Sequence, residues 1–212
     1  MEFLPEGLQE YVEDHSEPES DLLQQINRET HLHVLKPRML SGHLQGRVLS
    51  MLSHMIKPKY ILEIGTYTGY AALSMAEGMQ PHGKLITIDN NEELSVRSKK
   101  YFELSNHSDQ IEMLVGNAID VIPTLKERWD LVFIDADKEN YANYFDQVID
   151  QVNTGGFIIA DNVLWSGKVF DKNKQDKATE SIKGFNEKMH TDSRVQNVLF
   201  PIRDGLMILR KI

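Results

Sequence analysis

Two short runs in this 212-residue chain place hard oxygen donors at the ends of apolar segments. One is Phe133-Ile134-Asp135-Ala136-Asp137-Lys138, and the other is Ile159-Ala160-Asp161-Asn162. Asp135, Asp161 and Asn162 offer three oxygen ligands. Such ligands select Mg²⁺, Mn²⁺ or Ca²⁺ over zinc, and three of them leave about three octahedral positions for substrate oxygens and water. A lone Asp or Asn at a strand end is more often a helix N-cap. Two adjacent strand ends carrying Asp and Asp-Asn favour a metal, Mg²⁺ first among the candidates. Lys138 lies just beyond Asp135, within reach of the same pocket. A divalent cation nearby favours the neutral amine, which can take a proton from a bound hydroxyl. The plain alternative is a solvent-exposed lysine. Asp137 needs no role beyond that of a salt-bridge partner.

A second constellation lies upstream. Ile61-Leu62-Glu63-Ile64-Gly65-Thr66-Tyr67-Thr68-Gly69-Tyr70 runs from an apolar segment through glycines into a helix. Glycines there allow a sharp turn and close approach of a ligand to the backbone. The G-x-x-x-G spacing fits the dinucleotide fingerprint G-x-G-x-x-G poorly. Glu63 beside the loop would repel a pyrophosphate and suits a cationic ligand, such as S-adenosylmethionine with its ammonium and sulfonium. Asp89 ends the next apolar run, where a carboxylate can accept from both ribose hydroxyls. The simpler reading is that Gly65 and Gly69 only shape a turn and Asp89 only caps a helix. Glu63 and Asp89 together make that reading the weaker one.

These residues need a frame. Apolar periodicity predicts helices through the first 58 residues, with stripes at Leu8, Tyr11 and Val12, at Leu22, Leu23, Ile26 and Leu32, and at Leu44, Val48, Leu49, Leu52 and Ile56 before Pro58. From residue 59 onward strands alternate with helices. Strands are expected at 60–64, 85–89, 111–115, 131–135 and 157–161, and helices at 70–79, 92–105, 118–126 and 141–152. Such alternation implies a parallel sheet covered on both faces by right-handed crossovers. A helix near 177–189 precedes apolar runs at 195–201 and 206–212, and Asp204-Gly205 between them predicts an antiparallel hairpin. The expected fold class is α/β, a Rossmann-like, mostly parallel sheet ending in that hairpin. The expected organisation is one domain over 1–212, with a helical cap (1–58) on a catalytic core (59–212).

Composition excludes several classes. Apolar residues are 41% and charged residues 26%, an ordinary globular mix. No apolar run approaches the ~20 residues of a membrane span, and the acidic first ten residues do not read as a signal peptide. There are no cysteines, which removes disulfides, thiolate zinc sites and cysteine nucleophiles and fits a cytoplasmic protein. The net charge of -9 disfavours non-specific nucleic-acid binding. The eight histidines show no metal spacing; His31 and His33, two apart, do not share a helix face. Trp129 and Trp165 read as packing residues, although Trp165 beside the metal motif could wall a ring.

The glycine loop Glu63 to Tyr70, then Asp135-Ala136-Asp137-Lys138-Glu139-Asn140-Tyr141, then Asp161-Asn162-Val163-Leu164-Trp165-Ser166-Gly167, and finally Arg203-Asp204-Gly205, follow one another along the chain. In that order they resemble the cation-dependent caffeoyl-CoA and catechol O-methyltransferase family, in its compact bacterial form. The resemblance runs from near Pro37 to the end. It implies a seven-strand methyltransferase sheet and metal-dependent transfer of a methyl group from S-adenosylmethionine to one of two vicinal hydroxyls. It implies that Glu63, Gly65 and Thr66 line the methionine moiety, that Asp89 holds the ribose and that Ala118 lies by the adenine. Asp135 would face the cofactor as well as the metal, with Asp161 and Asn162 completing the metal set and Lys138 as the base. The segment 38–42 resembles the family's lid over the cofactor, with Ser41 touching it. A homodimer is implied, with the N-terminal helices as candidate contacts. Two positions depart from the plant members. Ala71 stands where they have Ser, so one cofactor hydrogen bond is made otherwise. Ser166 stands where they have Asn, at a position linked to the phenolic substrate. The compact chain leaves a CoA thioester acceptor open.

The expected reaction is an in-line displacement at the sulfonium methyl, with a catechol-like pair of oxygens chelated by the cation and the acceptor oxygen positioned behind the methyl carbon. Some bacterial relatives resemble methyltransferases of 5-hydroxyuridine in transfer RNA. The cluster Lys168, Lys172, Lys174 and Lys177 could meet phosphate in that case, and a solvated loop is the simpler account of it. A cofactor-binding module without catalysis is a further alternative. The complete Asp135, Asp161, Asn162 and Lys138 set argues against it.

Overall fold

The computed structural model describes residues 5–212. Runs rich in Ile, Leu, Val and Phe form β1 (Tyr60–Ile64), β2 (Lys84–Asp89), β3 (Ile111–Val115), β4 (Trp129–Ile134) and β5 (Val152–Asp161), all parallel to one another. β6 (Val195–Phe200) and β7 (Leu206–Lys211) form the hairpin, and β7 pairs antiparallel with β5. Together they make one seven-stranded sheet in the order β3-β2-β1-β4-β5-β7-β6. The order reverses between β1 and β4. Ligands of open α/β sheets bind at such a switch point, outside the carboxyl ends of the strands.

The helices are α1 (Glu6–Asp14), α2 (Asp21–His33), α3 (Gly42–Ile56), α4 (Tyr70–Ala76), α5 (Glu92–Leu104), α6 (Ala118–Val121), α7 (Tyr141–Val148) and α8 (Lys177–Thr191). Side-chain caps start several of them: Ser20 accepts from Leu23 N, Asn91 from Leu94 N and Asp176 from Thr179 N. α3 ends at Lys57, in the left-handed region directly before Pro58. Successive strand residues point to opposite faces, and the core divides accordingly. Leu62, Ile64, Val132 and Ile134 pack with Tyr141, Phe145 and Phe185 of α7 and α8. Ile61, Leu131 and Phe133 pack with Leu23, Ile26, Leu49, Tyr70 and Phe102 of α2 to α5. The alternation puts Glu63 on this second face.

Several boundaries differ from expectation. The helix expected over 118–126 ends at Val121. Pro123 converts the next turn to a 3-10 helix (Ile122–Thr124), and Leu125 is extended. The helix expected over 141–152 stops at Val148, and Val152 already begins β5. Val148, Ile149 and Val152 are all fully buried, and the chain turns from helix to strand through the short polar pair Asp150-Gln151 between them. β4 begins at Trp129, earlier than expected, with Trp129 fully buried as a packing residue. The first N-terminal stripe forms a helix but stays at the surface, Leu8 and Tyr11 being exposed. Among the described residues no helix is long and apolar enough to cross a membrane.

Candidate active site

β4 and β5 lie side by side, so the segments leaving their carboxyl ends meet. Asp161 is the last residue of β5 and is buried, 3% exposed. Asp135 follows β4 directly, its backbone N–H donating to Ile64 O of β1 at 2.8 Å. Asn162 adopts φ 59°, a left-handed conformation that Asn tolerates better than most residues. Burial pushes the Asp161 carboxyl well up from its ordinary value, and the Asp135 carboxylate pushes it further. Two carboxylates that repel one another, joined by an amide, make a donor set that a hard cation would stabilise. The residues present therefore fit a divalent cation. Among the described residues no three His, Cys, Asp or Glu side chains converge on a candidate metal position.

Lys138 is not the solvent-exposed lysine of the plain alternative. It opens a 3-10 turn (Lys138–Asn140) and is only 9% exposed. Its Nζ donates to Asp135 Oδ1 at 2.9 Å and to the Tyr141 hydroxyl. Tyr141, fully buried, donates in turn to the Asp161 carbonyl oxygen at 2.9 Å. Burial holds the Tyr141 phenol well above its usual range, so it stays protonated. Lys138 is thereby tied to both strand ends. Trp165 lies beside them at φ 48°, its ring centroid 5.9 Å from Lys138 Nζ and 5.4 Å from Lys168 Nζ.

The loop after β1 completes the same edge. Gly65 has φ +101°, and a Cβ there would lie 2.0 Å from the Asp135 carbonyl oxygen. Glu63 is fully buried; its Oε2 accepts from the Thr87 hydroxyl, and Thr87 Oγ1 lies 2.5 Å from Thr66 Oγ1. Its Oε1 is buried without a partner. Burial raises the Glu63 carboxyl well above the ordinary range, Asp135 and Asp89 adding to the effect and the Thr87 hydrogen bond opposing it. A buried, unpartnered carboxyl oxygen costs free energy and fits a cationic ligand such as the ammonium of S-adenosylmethionine. Asp89, at the end of β2, accepts from Tyr67 N at 2.8 Å and from Asn91 N at 2.9 Å. It braces the glycine loop, while Asn91 rather than Asp89 caps α5. Gly116 N donates to Asp89 O, which sets Ala118, at the start of α6, beside the β2 end. Ser41 is buried at the N-cap position of α3 without a side-chain capping bond.

The structure thus brings the expected strand-end residues together at the carboxyl ends of β1, β2, β4 and β5, and puts Ser41 at the start of α3. It also adds members that local sequence did not reveal. Gln45 of α3 donates from Nε2 to Asp161 Oδ2 at 2.6 Å. Arg203, in the turn between β6 and β7, donates to Gln45 Oε1 and to Leu40 O, each at 3.2 Å. Tyr141 was in view as part of a motif, without a role. The lysine cluster is partly neutralised: Lys168 lies 3.8 Å from Asp176, and Lys177 pairs with Glu139.

Comparison with known proteins bears on the family and the fold. A family model described as O-methyltransferase matches residues 13–212. A catechol O-methyltransferase of Niastella koreensis is 34% identical over 155 residues, covering 71% of this chain and 70% of that protein. Caffeoyl-CoA O-methyltransferase 5 of Nicotiana tabacum is 33% identical over 180 residues, covering 79% of this chain and 75% of that protein. Among solved structures, the S-adenosylhomocysteine-bound methyltransferase PaMTH1 of Podospora anserina superposes with a TM-score of 0.90 at 27% identity, over 100% of this chain and 99% of that one. An O-methyltransferase of Bacillus cereus in complex with S-adenosylhomocysteine gives 0.89 at 28% identity, over 97% of each. With a family model over nearly all its length and relatives above 30% identity, this chain belongs to the cation-dependent O-methyltransferase family and is an O-methyltransferase.

Proposed function

We propose that the protein transfers the methyl group of S-adenosylmethionine to one of two vicinal oxygens on a catechol-like small molecule, with a divalent cation, Mg²⁺ foremost, held by Asp135, Asp161 and Asn162. The observation that carries this reading is the buried Asp161, pushed up by burial first and by the Asp135 carboxylate second, with Lys138 Nζ 2.9 Å from Asp135. A divalent cation, when bound, supplies Lewis acidity and a chelation point for the two acceptor oxygens. The work of the chain is binding, orientation and proton removal. Glu63, Gly65 and Thr66 receive the methionine end of the donor, Asp89 its ribose, and Ala118 packs by its adenine, with segment 38–42 and Ser41 covering it. Lys138, steadied by Tyr141, takes the proton of the acceptor hydroxyl on Nζ. The acceptor oxygen then forms its bond to the methyl carbon as the sulfur–carbon bond breaks, leaving a neutral thioether.

The Niastella relative's name supports a small-molecule acceptor, and the pairing of Lys168 and Lys177 with carboxylates weakens the case for RNA. Exposed Leu8 and Tyr11 on α1 and Met51 and Met55 on α3 support the N-terminal helices as homodimer contacts. The test is turnover with labelled S-adenosylmethionine on catechols, flavonoids and transfer RNA that carries unmethylated 5-hydroxyuridine at the wobble position, before and after chelation. Catechol methylation lost on chelation and restored by Mg²⁺ or Mn²⁺ supports the reading. Full activity after exhaustive chelation sinks the metal, and turnover on transfer RNA alone sinks the small-molecule acceptor.

A further inference from the structure

Gln45 is a polar side chain that the fold buries between two charged groups. It is 1% exposed on α3 and reaches across 116 residues of sequence to Asp161. Its two ends face groups that allow only one orientation. Arg203 is a pure donor, so it takes Oε1; the Asp161 carboxylate is a pure acceptor when ionised, so it takes Nε2. The other Asp161 oxygen accepts from Asn162 N at 2.6 Å. Gln45 and the Asn162 backbone thereby fix the carboxylate plane between them.

Arg203 is the second unusual feature. It has φ 47°, an uncommon backbone for a residue that is not glycine. From this turn its guanidinium also donates to Leu40 O, directly before Ser41. The same turn grips the chain beyond Asn162: Val163 N donates to Gly205 O, Leu164 N to Asp204 O and Ser166 N to Asp204 Oδ1. One hydrogen-bonded chain thus runs from segment 38–42 through Arg203 and Gln45 to Asp161.

We propose that Gln45 is a positioning residue for Asp161, and that Arg203 and Gln45 couple segment 38–42 to the divalent-cation site, so that donor binding and cation binding reinforce one another. The inference rests on the metal role proposed above for Asp161. Partners that orient a ligating carboxylate cost roughly 10–100-fold in metal affinity when removed. Gln45→Met keeps the length of the side chain and loses both hydrogen bonds. Arg203→Met removes the link at an exposed turn and leaves the core untouched.

The test is Mn²⁺ binding by titration calorimetry and by electron paramagnetic resonance, with and without S-adenosylhomocysteine. It needs no turnover. Gln45→Met is expected to weaken Mn²⁺ binding by roughly 10–100-fold in folded protein. Arg203→Met is expected to weaken it less, and the double variant no more than Gln45→Met alone, since Arg203 acts through Gln45. S-adenosylhomocysteine should tighten Mn²⁺ binding in the wild type, and this gain should shrink toward none in Arg203→Met. A role in packing alone would lower the melting temperature and leave Mn²⁺ affinity unchanged below it. Wild-type protein that binds Mn²⁺ with variants that bind equally well overturns the relay and spares the metal. Additive losses in the double variant, or a gain from S-adenosylhomocysteine that survives in Arg203→Met, also overturn it. Wild-type protein that binds no Mn²⁺ overturns the metal role and this inference together. Should Gln45→Met fail to fold, Arg203→Met decides on the same readouts.

Discussion

Gly65 and Asp135 are in contact through their backbones: a Cβ on Gly65 would stand 2.0 Å from the Asp135 carbonyl oxygen. The loop that would cradle the donor and the segment that would hold the cation therefore share one surface. Gly65→Ala adds that clash to an unfavourable φ of +101°. Strained backbone of this kind costs of order 1–3 kcal/mol, or roughly 2–12 °C in melting temperature for a chain of this size. The variant should also lose S-adenosylhomocysteine and Mn²⁺ affinity together. Calorimetry showing loss of one ligand alone would contradict the shared surface.

Glu63 yields a second prediction. Its carboxyl is raised by burial, so the ligand-free protein carries it protonated above the ordinary carboxylate range. Glu63→Gln mimics that neutral form and should leave the melting temperature near neutral pH unchanged or raise it. A folded-state value above the unfolded one means that stability falls as pH rises past the ordinary carboxylate range, and the variant should lose that dependence. S-adenosylmethionine affinity should drop, because a hydrogen bond to a charged partner is worth about 1.5–3 kcal/mol, roughly one to two orders of magnitude in Kd. Unchanged binding by calorimetry would remove Glu63 from the donor site.

Much of this site was legible because its residues cluster in sequence. Asp135 and Lys138 are three residues apart, Asp161 and Asn162 are neighbours, and β4 and β5 are adjacent strands of the sheet. Glu63 stood out as a charged residue in an apolar strand. Gln45 did not, because a glutamine in an amphipathic helix looks like a surface residue until a partner 116 positions away is placed beside it. Tyr141 was equally silent, since its role depends on the Asp161 carbonyl across the fold. The fold class followed from alternating strands and helices, whereas the end of α7 and the start of β5 did not, both being buried and apolar. Leu8 and Tyr11 show the opposite failure: a helical stripe predicts a helix and says nothing about what covers it.

Acid should act on a surface element away from the site. Asp192, which caps the C-terminus of α8, is pushed down to about 2 by hydrogen bonds from the Arg194 guanidinium and backbone. A depressed carboxyl contributes stability that is complete above its unfolded value and is lost as pH falls through the folded one. The window is therefore pH 4 to about 2. Solvent screening limits the contribution to about 1 kcal/mol. Asp192→Asn should lower the melting temperature slightly at neutral pH and flatten its fall in that window. A wild-type slope in the variant would assign the acid transition to other carboxylates.

Lys138 carries the test of reaction class. Lys138→Met keeps most of the side-chain length and cannot accept a proton. With Lys138 as general base, turnover should fall by roughly 10²–10⁴-fold. Donor binding should survive, because the amine bonds only to Asp135 and Tyr141. Mn²⁺ binding should hold or tighten, because a positive charge has left the carboxylate pair. The Tyr141 bond to Asp161 O remains to keep the strand ends in place. The residual rate should rise with pH as hydroxide replaces the base, and it should be higher for catechols with more acidic hydroxyls. A wild-type rate across pH would make Lys138 a bystander, and loss of donor binding would make it structural. A monophenol run beside the catechol adds a further demand. With one oxygen missing the acceptor cannot chelate, so wild-type turnover should nearly vanish, and efficient methylation of the monophenol would count against the vicinal-oxygen mechanism whatever Lys138 does.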